Sequence, residues 1–107
     1  MLDSIQQKKI EGLLKANSVL IFMKGNKEQP QCGFSALAIA ILKRLGTDFE
    51  TYDILQDAQM RQDIKEYSNW PTLPQVYING KFIGGSDILQ ELYEKGELQK
   101  LVEQQSH

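Results

Sequence analysis

The chain has 107 residues and a hydrophobic fraction of 41%, enough to build one domain around one core without metal or disulfide staples. Its net charge of -2, with no Lys/Arg-rich block, argues against nucleic acid as a partner, and no apolar run approaches the ~20 residues that span a bilayer, so no membrane role is expected. The start, Met1 to Gln6, has neither a charged leader nor an apolar stretch, and a lone cysteine cannot form an internal disulfide; the expected location is a reducing one, cytoplasmic, or alternatively an organelle matrix after presequence removal.

Residues 3–16 read as a helix, with Ser4 and Gln7, or Asp3 and Gln6, as a capping box and Ile10, Leu13 and Leu14 as its apolar stripe. Val19–Met23 is a continuous apolar run, short and partly β-branched, which predicts a strand covered on both faces. Lys24-Gly25 closes it and a loop follows to Gln31. Residues 33–45 give the clearest helix, with Phe34, Leu37, Ala38, Ile41, Leu42 and Leu45 on one face and Gly46 as the stop. Phe49–Ile54 reads as a second strand, parallel to the first through a right-handed crossover.

Residues 58–68 predict a third helix with Met60, Ile64 and Tyr67 inward. Trp70-Pro71-Thr72-Leu73-Pro74 excludes helix and interior strand alike. Gln75–Ile78 and Lys81–Ile83 are short strands, joined by Asn79-Gly80, which suits a type I′ turn because both central residues need positive φ. Gly84-Gly85 ends the hairpin. Ser86 or Asp87 then caps a helix carrying Ile88, Leu89, Leu92 and Tyr93. Gly96 breaks it, Leu98, Leu101 and Val102 mark a last helix, and the tail from Glu103 to His107 is expected to fray. This order builds a four-stranded mixed sheet with helices on both faces, the thioredoxin-like layout of the α/β class.

A lone cysteine is more often a small buried hydrophobe than a reactive group. Cys32 lies outside the apolar stripe, beside Gly33, where a helix begins; the unpaired N–H groups and the dipole there favour an anion and lower a thiol's pKa. In Cys32-Gly33-Phe34-Ser35 the position of a second redox cysteine is taken by Ser35, so any disulfide of Cys32 is with a second molecule. The same arithmetic governs metal chemistry. A small iron–sulfur cluster wants four ligands, and one chain offers one thiolate. Such a cluster would be shared across a dimer and completed by exogenous thiols.

The motifs Lys24-Gly25, Pro30, Cys32-Gly33-Phe34-Ser35, Trp70-Pro71-Thr72-Leu73-Pro74-Gln75 and Gly84-Gly85-Ser86-Asp87, in this order and spacing, resemble those of a monothiol glutaredoxin of the Cys-Gly-Phe-Ser class. The likeness runs from about Ile5 to Val102 and makes residues 1–107 a single glutaredoxin domain. It implies a glutathione-binding groove and a [2Fe-2S] cluster bridging two protomers, ligated by Cys32 of each chain and two glutathione sulfurs. It also implies transfer of the cluster to iron–sulfur acceptor proteins, in cluster biogenesis and iron homeostasis, and pairing with BolA-type proteins.

The resemblance assigns roles to residues that have ordinary readings as well. Lys24, otherwise a solvated lysine, would lie near the thiolate and the glycine carboxylate of glutathione. Arg61 and Lys65, four apart on one helix face and otherwise balanced by Asp57, Asp63 and Glu66, would supply positive charge for that carboxylate, Arg61 the better through its fork. In the family Pro74 is cis and faces the active cysteine, so that Leu73 pairs its backbone with the cysteinyl unit of glutathione as an added strand does. Ser86 and Asp87, good capping residues in any case, would meet the γ-glutamyl end, with N–H donors for its carboxylate and Asp87 for its ammonium. Ser86 departs from the cysteine many members carry there, which closes an internal redox route. Trp70 reads as a structural and rim residue, Tyr52, Tyr67, Tyr77 and Tyr93 as core, and His107 as no metal ligand.

Two functions share this thiolate and groove. One is a glutathione-dependent cluster carrier working as a homodimer. The other is a weak glutathione-dependent monothiol oxidoreductase acting on protein–glutathione mixed disulfides. Residues Asn26–Pro30 favour the carrier, because that class has a longer loop here. A third, blander reading is a thioredoxin-fold adaptor with an inert cysteine.

Overall fold

The computed structural model describes residues 2–104, so His107 lies outside the described residues. The elements are α1 (Ser4–Ala16), β1 (Val19–Met23), α2 (Gly33–Leu45), β2 (Glu50–Asp53), α3 (Ala58–Ser68), β3 (Gln75–Ile78), β4 (Lys81–Gly84), α4 (Ser86–Glu94) and α5 (Glu97–Glu103). The sheet order is β2-β1-β3-β4, with β1 and β2 parallel and both other pairings antiparallel. This is the expected thioredoxin-like architecture.

All five residues of β1 are buried, because the strand is central and covered on both sides. Val19, Ile21 and Met23 face a cluster with Ala38, Leu42, Leu89 and Leu98, supplied by α2, α4 and α5. Leu20 and Phe22 face the opposite cluster, where Ile10 and Leu14 of α1 meet Met60 and Ile64 of α3. The alternation is the pleat of a strand. Each fully buried aliphatic side chain contributes about 1.5–3 kcal/mol of transfer free energy.

Local chemistry sets the boundaries. Of the two N-terminal capping patterns, Asp3 forms the cap, its carboxylate accepting the Gln6 N–H at 2.9 Å. Asp57 caps α3 by accepting the Met60 N–H at 3.0 Å, and it also accepts the Tyr52 hydroxyl at 2.6 Å and pairs with Lys9 at 3.5 Å. One carboxylate thereby ties α1, β2 and α3 together. Asn79 and Gly80 both have positive φ, 52° and 80°, as their turn requires.

Four expectations shift. The second strand is Glu50–Asp53, and Ile54–Gln56 is a 3-10 turn, because the Asp53 carboxylate takes the Leu55 N–H at 2.9 Å and curls the chain. The fourth helix is capped by Gly85, with Ser86 already its first helical residue. Glu103, expected to fray, closes α5. The buried face of α2 holds Ser35, Ala38, Ile39, Ile41 and Leu42, while Phe34 and Leu37 are 66% and 36% exposed. The buried stripe runs through Ser35, Ala38, Ile39 and Leu42 at helical spacing, and on it the Ser35 hydroxyl accepts the Lys24 backbone N–H at 3.4 Å. Phe34 and Leu37 fall to one side of that stripe and stay outward.

Candidate functional site

Beyond the end of β1 the chain makes a compact hairpin before α2. Gly25 has φ +88°, and a Cβ there would fall 2.3 Å from the Gln29 carbonyl oxygen, so only glycine closes this turn. The Asn26 side chain accepts the N–H groups of Glu28 and Gln29 at 3.0 and 2.8 Å, and the Gln31 N–H returns to the Lys24 carbonyl at 2.9 Å. The hairpin delivers Cys32 as the N-cap of α2 in extended conformation, with φ -149° and ψ 141°.

Cys32 is the one free thiol and is half-buried. Its side chain makes no capping hydrogen bond. Its pKa is nevertheless held below the ordinary value, first by the backbone N–H of Ser35 and then by that of Phe34. Burial opposes them, and the Lys24 charge and the Ser35 hydroxyl add to the lowering. This is the helix-start effect expected for a thiolate, carried mainly by oriented backbone donors. Ser35 itself is fully buried.

The eight residues singled out in the sequence, Lys24, Cys32, Arg61, Lys65, Leu73, Pro74, Ser86 and Asp87, all line one groove of about 570 Å³. They come from five separate places in the chain: the end of β1, the start of α2, one face of α3, the loop before β3 and the start of α4. Among the described residues, Lys24, Arg61 and Lys65 form no ion pair, so three free cations face a groove with one carboxylate, Asp87. The Leu73-Pro74 peptide bond is cis. The Leu73 N–H and C=O have no hydrogen-bond partner among the described residues and offer a short open edge.

The groove also includes residues that sequence patterning did not assign to it. Phe34, placed in the core by its spacing, lines the groove beside Cys32, together with Thr72 and Gly85. The Trp70 ring packs on Phe82 at 5.9 Å between centroids and remains 43% exposed, the rim position expected of it. Gln75 had no assigned role. It is fully buried, donates to the carbonyls of Trp70 and Thr72 at 3.0 and 3.3 Å, and accepts the Tyr77 hydroxyl at 3.0 Å. It holds the 70–72 wall in place. The signal was present in the sequence, since a glutamine at the head of an otherwise apolar strand needs polar partners. Of Gly84 and Gly85, Gly84 is the one that must be glycine: its φ is +145°, and a Cβ would lie 2.9 Å from the Ile88 side chain.

Comparisons with known proteins agree on what this arrangement is. The glutaredoxin family model matches residues 19–83. The chain is 61% identical over 95 residues to an uncharacterised monothiol glutaredoxin, ycf64-like, of Synechocystis, covering 89% of each. It is 48% identical to reduced apo GrxS14 of poplar, whose solution structure superposes with a TM-score of 0.81 over 91% of this chain and 89% of that one. A buckwheat glutaredoxin–glutathione complex, at 24% identity, shares the fold with a TM-score of 0.82 over 92% of this chain and 88% of that one. With one cysteine in Cys32-Gly33-Phe34-Ser35 at the head of α2, and relatives of this identity over nearly its whole length, the chain belongs to the glutaredoxin family, as a monothiol glutaredoxin of the Cys-Gly-Phe-Ser class.

Proposed function

We propose that this protein binds glutathione in the groove and, as a homodimer, carries a [2Fe-2S] cluster as cargo for acceptor proteins. The observation that carries the reading is the convergence on one groove of a lone low-pKa thiol, a backbone edge at Leu73 and three cations, these last two without partners among the described residues. A γ-linked tripeptide with two carboxylates, one ammonium and one thiol matches these features in kind. Arg61 and Lys65 would hold the glycine carboxylate, and Lys24 would stay near the thiolate. Leu73 would hydrogen-bond the cysteinyl backbone beside Pro74. The N–H groups at Ser86 and Asp87 would take the γ-glutamyl carboxylate and the Asp87 side chain its ammonium.

The donor set fits a shared cluster. The chain has one cysteine, so each protomer would bring one thiolate, that of Cys32. A second protomer and two glutathione thiols would complete four sulfurs. The groove's surplus of positive charge suits an anionic cluster, and exposed Phe34 and Trp70 flank the thiol as apolar rim. Acceptor proteins and a BolA-type partner would meet this same rim.

The second reading is reduction of protein–glutathione mixed disulfides. Here the Cys32 thiolate attacks the glutathione sulfur and the protein thiolate leaves. A second glutathione thiolate then attacks the Cys32 mixed disulfide, forming glutathione disulfide and restoring the Cys32 thiolate. The observation favouring it is the low thiol pKa alone.

Anaerobic reconstitution with iron, sulfide and glutathione, followed by visible absorption and native mass, tests the proposal. A coloured dimer that bleaches and dissociates when glutathione is removed supports the carrier. A colourless monomer that reduces a glutathione mixed disulfide overturns it in favour of the oxidoreductase.

A further inference from the structure

The Leu73 backbone forms one edge of the groove, and what orients that edge lies behind it. Pro71 and Pro74 bracket it, and neither has a backbone N–H to donate. The Leu73 side chain packs against the cluster that holds Phe22 and Tyr77. An apolar contact is non-directional and does not set the rotation of a peptide plane; a hydrogen bond does. Among the described residues one hydrogen bond reaches positions 71–73: the Gln75 Nε2 donates to the Thr72 carbonyl at 3.3 Å. The same nitrogen donates to the Trp70 carbonyl at 3.0 Å, and the Trp70 N–H is itself tied to the Ser68 hydroxyl and the Lys65 carbonyl, both at 3.2 Å. One buried amide thereby joins Thr72 to a residue anchored on the end of α3.

The Thr72 carbonyl and the Leu73 N–H belong to one planar trans peptide group and point in opposite directions. Holding the carbonyl inward on Gln75 therefore aims the Leu73 N–H outward. The amide that does this has a donor end and an acceptor end, and one orientation alone puts the donor on the two carbonyls. Tyr77 supports that orientation: its hydroxyl donates to the Gln75 Oε1 at 3.0 Å. Gln75 and Tyr77 are alternate residues of β3 and share a face of the sheet. The Tyr77 ring is fixed against Phe22, Tyr67 and Phe82, with centroids 5.5, 6.3 and 5.4 Å away. Both residues are buried and neither lines the groove.

We propose that Gln75 and Tyr77 are positioning residues for the ligand edge of the groove: Tyr77 orients the Gln75 amide, and the amide sets the peptide plane through which Leu73 presents its N–H. The edge is thus preorganised before a ligand arrives, which spares the ligand the cost of ordering it. The consequence for glutathione rests on the reading given under Proposed function; the positioning of the 70–73 wall does not.

Trp70 is the one tryptophan of the protein, so its fluorescence reports the wall with no ligand present. The test uses full-length Gln75→Met, which keeps the length of the side chain, and Tyr77→Phe, which removes one oxygen and keeps the ring packing. The readouts are acrylamide quenching of Trp70 in the native state and calorimetric glutathione affinity, with urea unfolding alongside. Positioning predicts stronger quenching in both variants, an affinity loss of about fivefold in Gln75→Met and about twofold in Tyr77→Phe. A merely structural role lowers the urea midpoints and leaves quenching and affinity at the parent values; that result overturns the inference. So does an affinity loss without a change in quenching, or a change in quenching without an affinity loss. Parent values in Tyr77→Phe beside a displaced Gln75→Met overturn the part given to Tyr77. If the parent protein binds no glutathione while quenching rises in both variants, the positioning of the wall stands and the glutathione reading fails.

Discussion

The Ser35 hydroxyl accepts the Lys24 backbone N–H at 3.4 Å, joining the last turn of the chain before the 25–30 hairpin to the first turn of α2 after it. Cys32 is held between these two points. The position one turn beyond the active thiol, where a second cysteine would stand in a dithiol protein, is thus a fully buried structural contact. Ser35→Ala leaves the Lys24 N–H without this acceptor and is expected to cost about 1 kcal/mol in urea unfolding. The Cys32 alkylation midpoint should rise only slightly, because the backbone N–H of residue 35, the largest cause of its low pKa, is retained. A large rise with unchanged stability would show that the hydroxyl acts on the sulfur and not on the strand.

Cys32→Ser separates fold from chemistry. Cys32 is the N-cap of α2 but its thiol makes no capping hydrogen bond. Serine is a preferred N-cap, so the variant should melt no lower than the parent protein, and up to about 1 kcal/mol of stabilisation is expected. It should yield no coloured species on reconstitution and no glutathionylated adduct. A coloured dimer from Cys32→Ser would remove Cys32 as the cluster ligand.

Two glycines are expected to respond in opposite directions to alanine. Gly12 is inside α1 with open space where a Cβ would go, so Gly12→Ala should stabilise by about 0.5–1 kcal/mol through helix propensity. Gly25→Ala places a Cβ 2.3 Å from a backbone oxygen at positive φ and should destabilise by about 1–3 kcal/mol, opening the hairpin. Chemical denaturation of both variants measures this. A neutral Gly25→Ala would mean the hairpin adapts freely.

Asp57 gives the fold an acid-sensitive joint. Its carboxyl is held below the ordinary range, first by the Tyr52 hydroxyl, then by the Met60 N–H, against burial, with Lys9 adding. A depressed folded-state pKa means that its stabilisation is fully present above the unfolded value, about 3.9, and is lost as pH falls through the folded value. Asp57→Asn keeps a capping oxygen and removes the charge. Stability measured from pH 7 to pH 2 should show the gap between parent and variant shrinking below about pH 4. A gap constant across that range would exclude the charge as the source.

Arg61→Ala should lower glutathione affinity, more strongly at low salt than at high, as expected for a solvent-screened contact between a guanidinium and a carboxylate. Calorimetry at two ionic strengths reads this directly. A loss independent of salt would assign Arg61 to packing of the groove wall.

Much of this protein is legible in its residue order. The two-sided burial of Val19–Met23, the Asn79-Gly80 turn and the stop at Gly46 follow from local rules of period and backbone freedom. The single thiol at the head of a helix follows likewise, because the backbone donors that lower its pKa belong to the next two or three residues. What only the tertiary structure decided is which face of α2 the sheet covers and what meets across the groove. Spacing assigns Phe34 and Leu37 to the core, yet the sheet covers the stripe through Ser35, Ala38, Ile39 and Leu42 and leaves both exposed. Gln75 acquires its role from carbonyls of a loop folded against it. Periodicity reports the neighbours of a residue along its own element. It carries no term for partners that the crossover and the sheet bring in from elsewhere, and those partners shape this site.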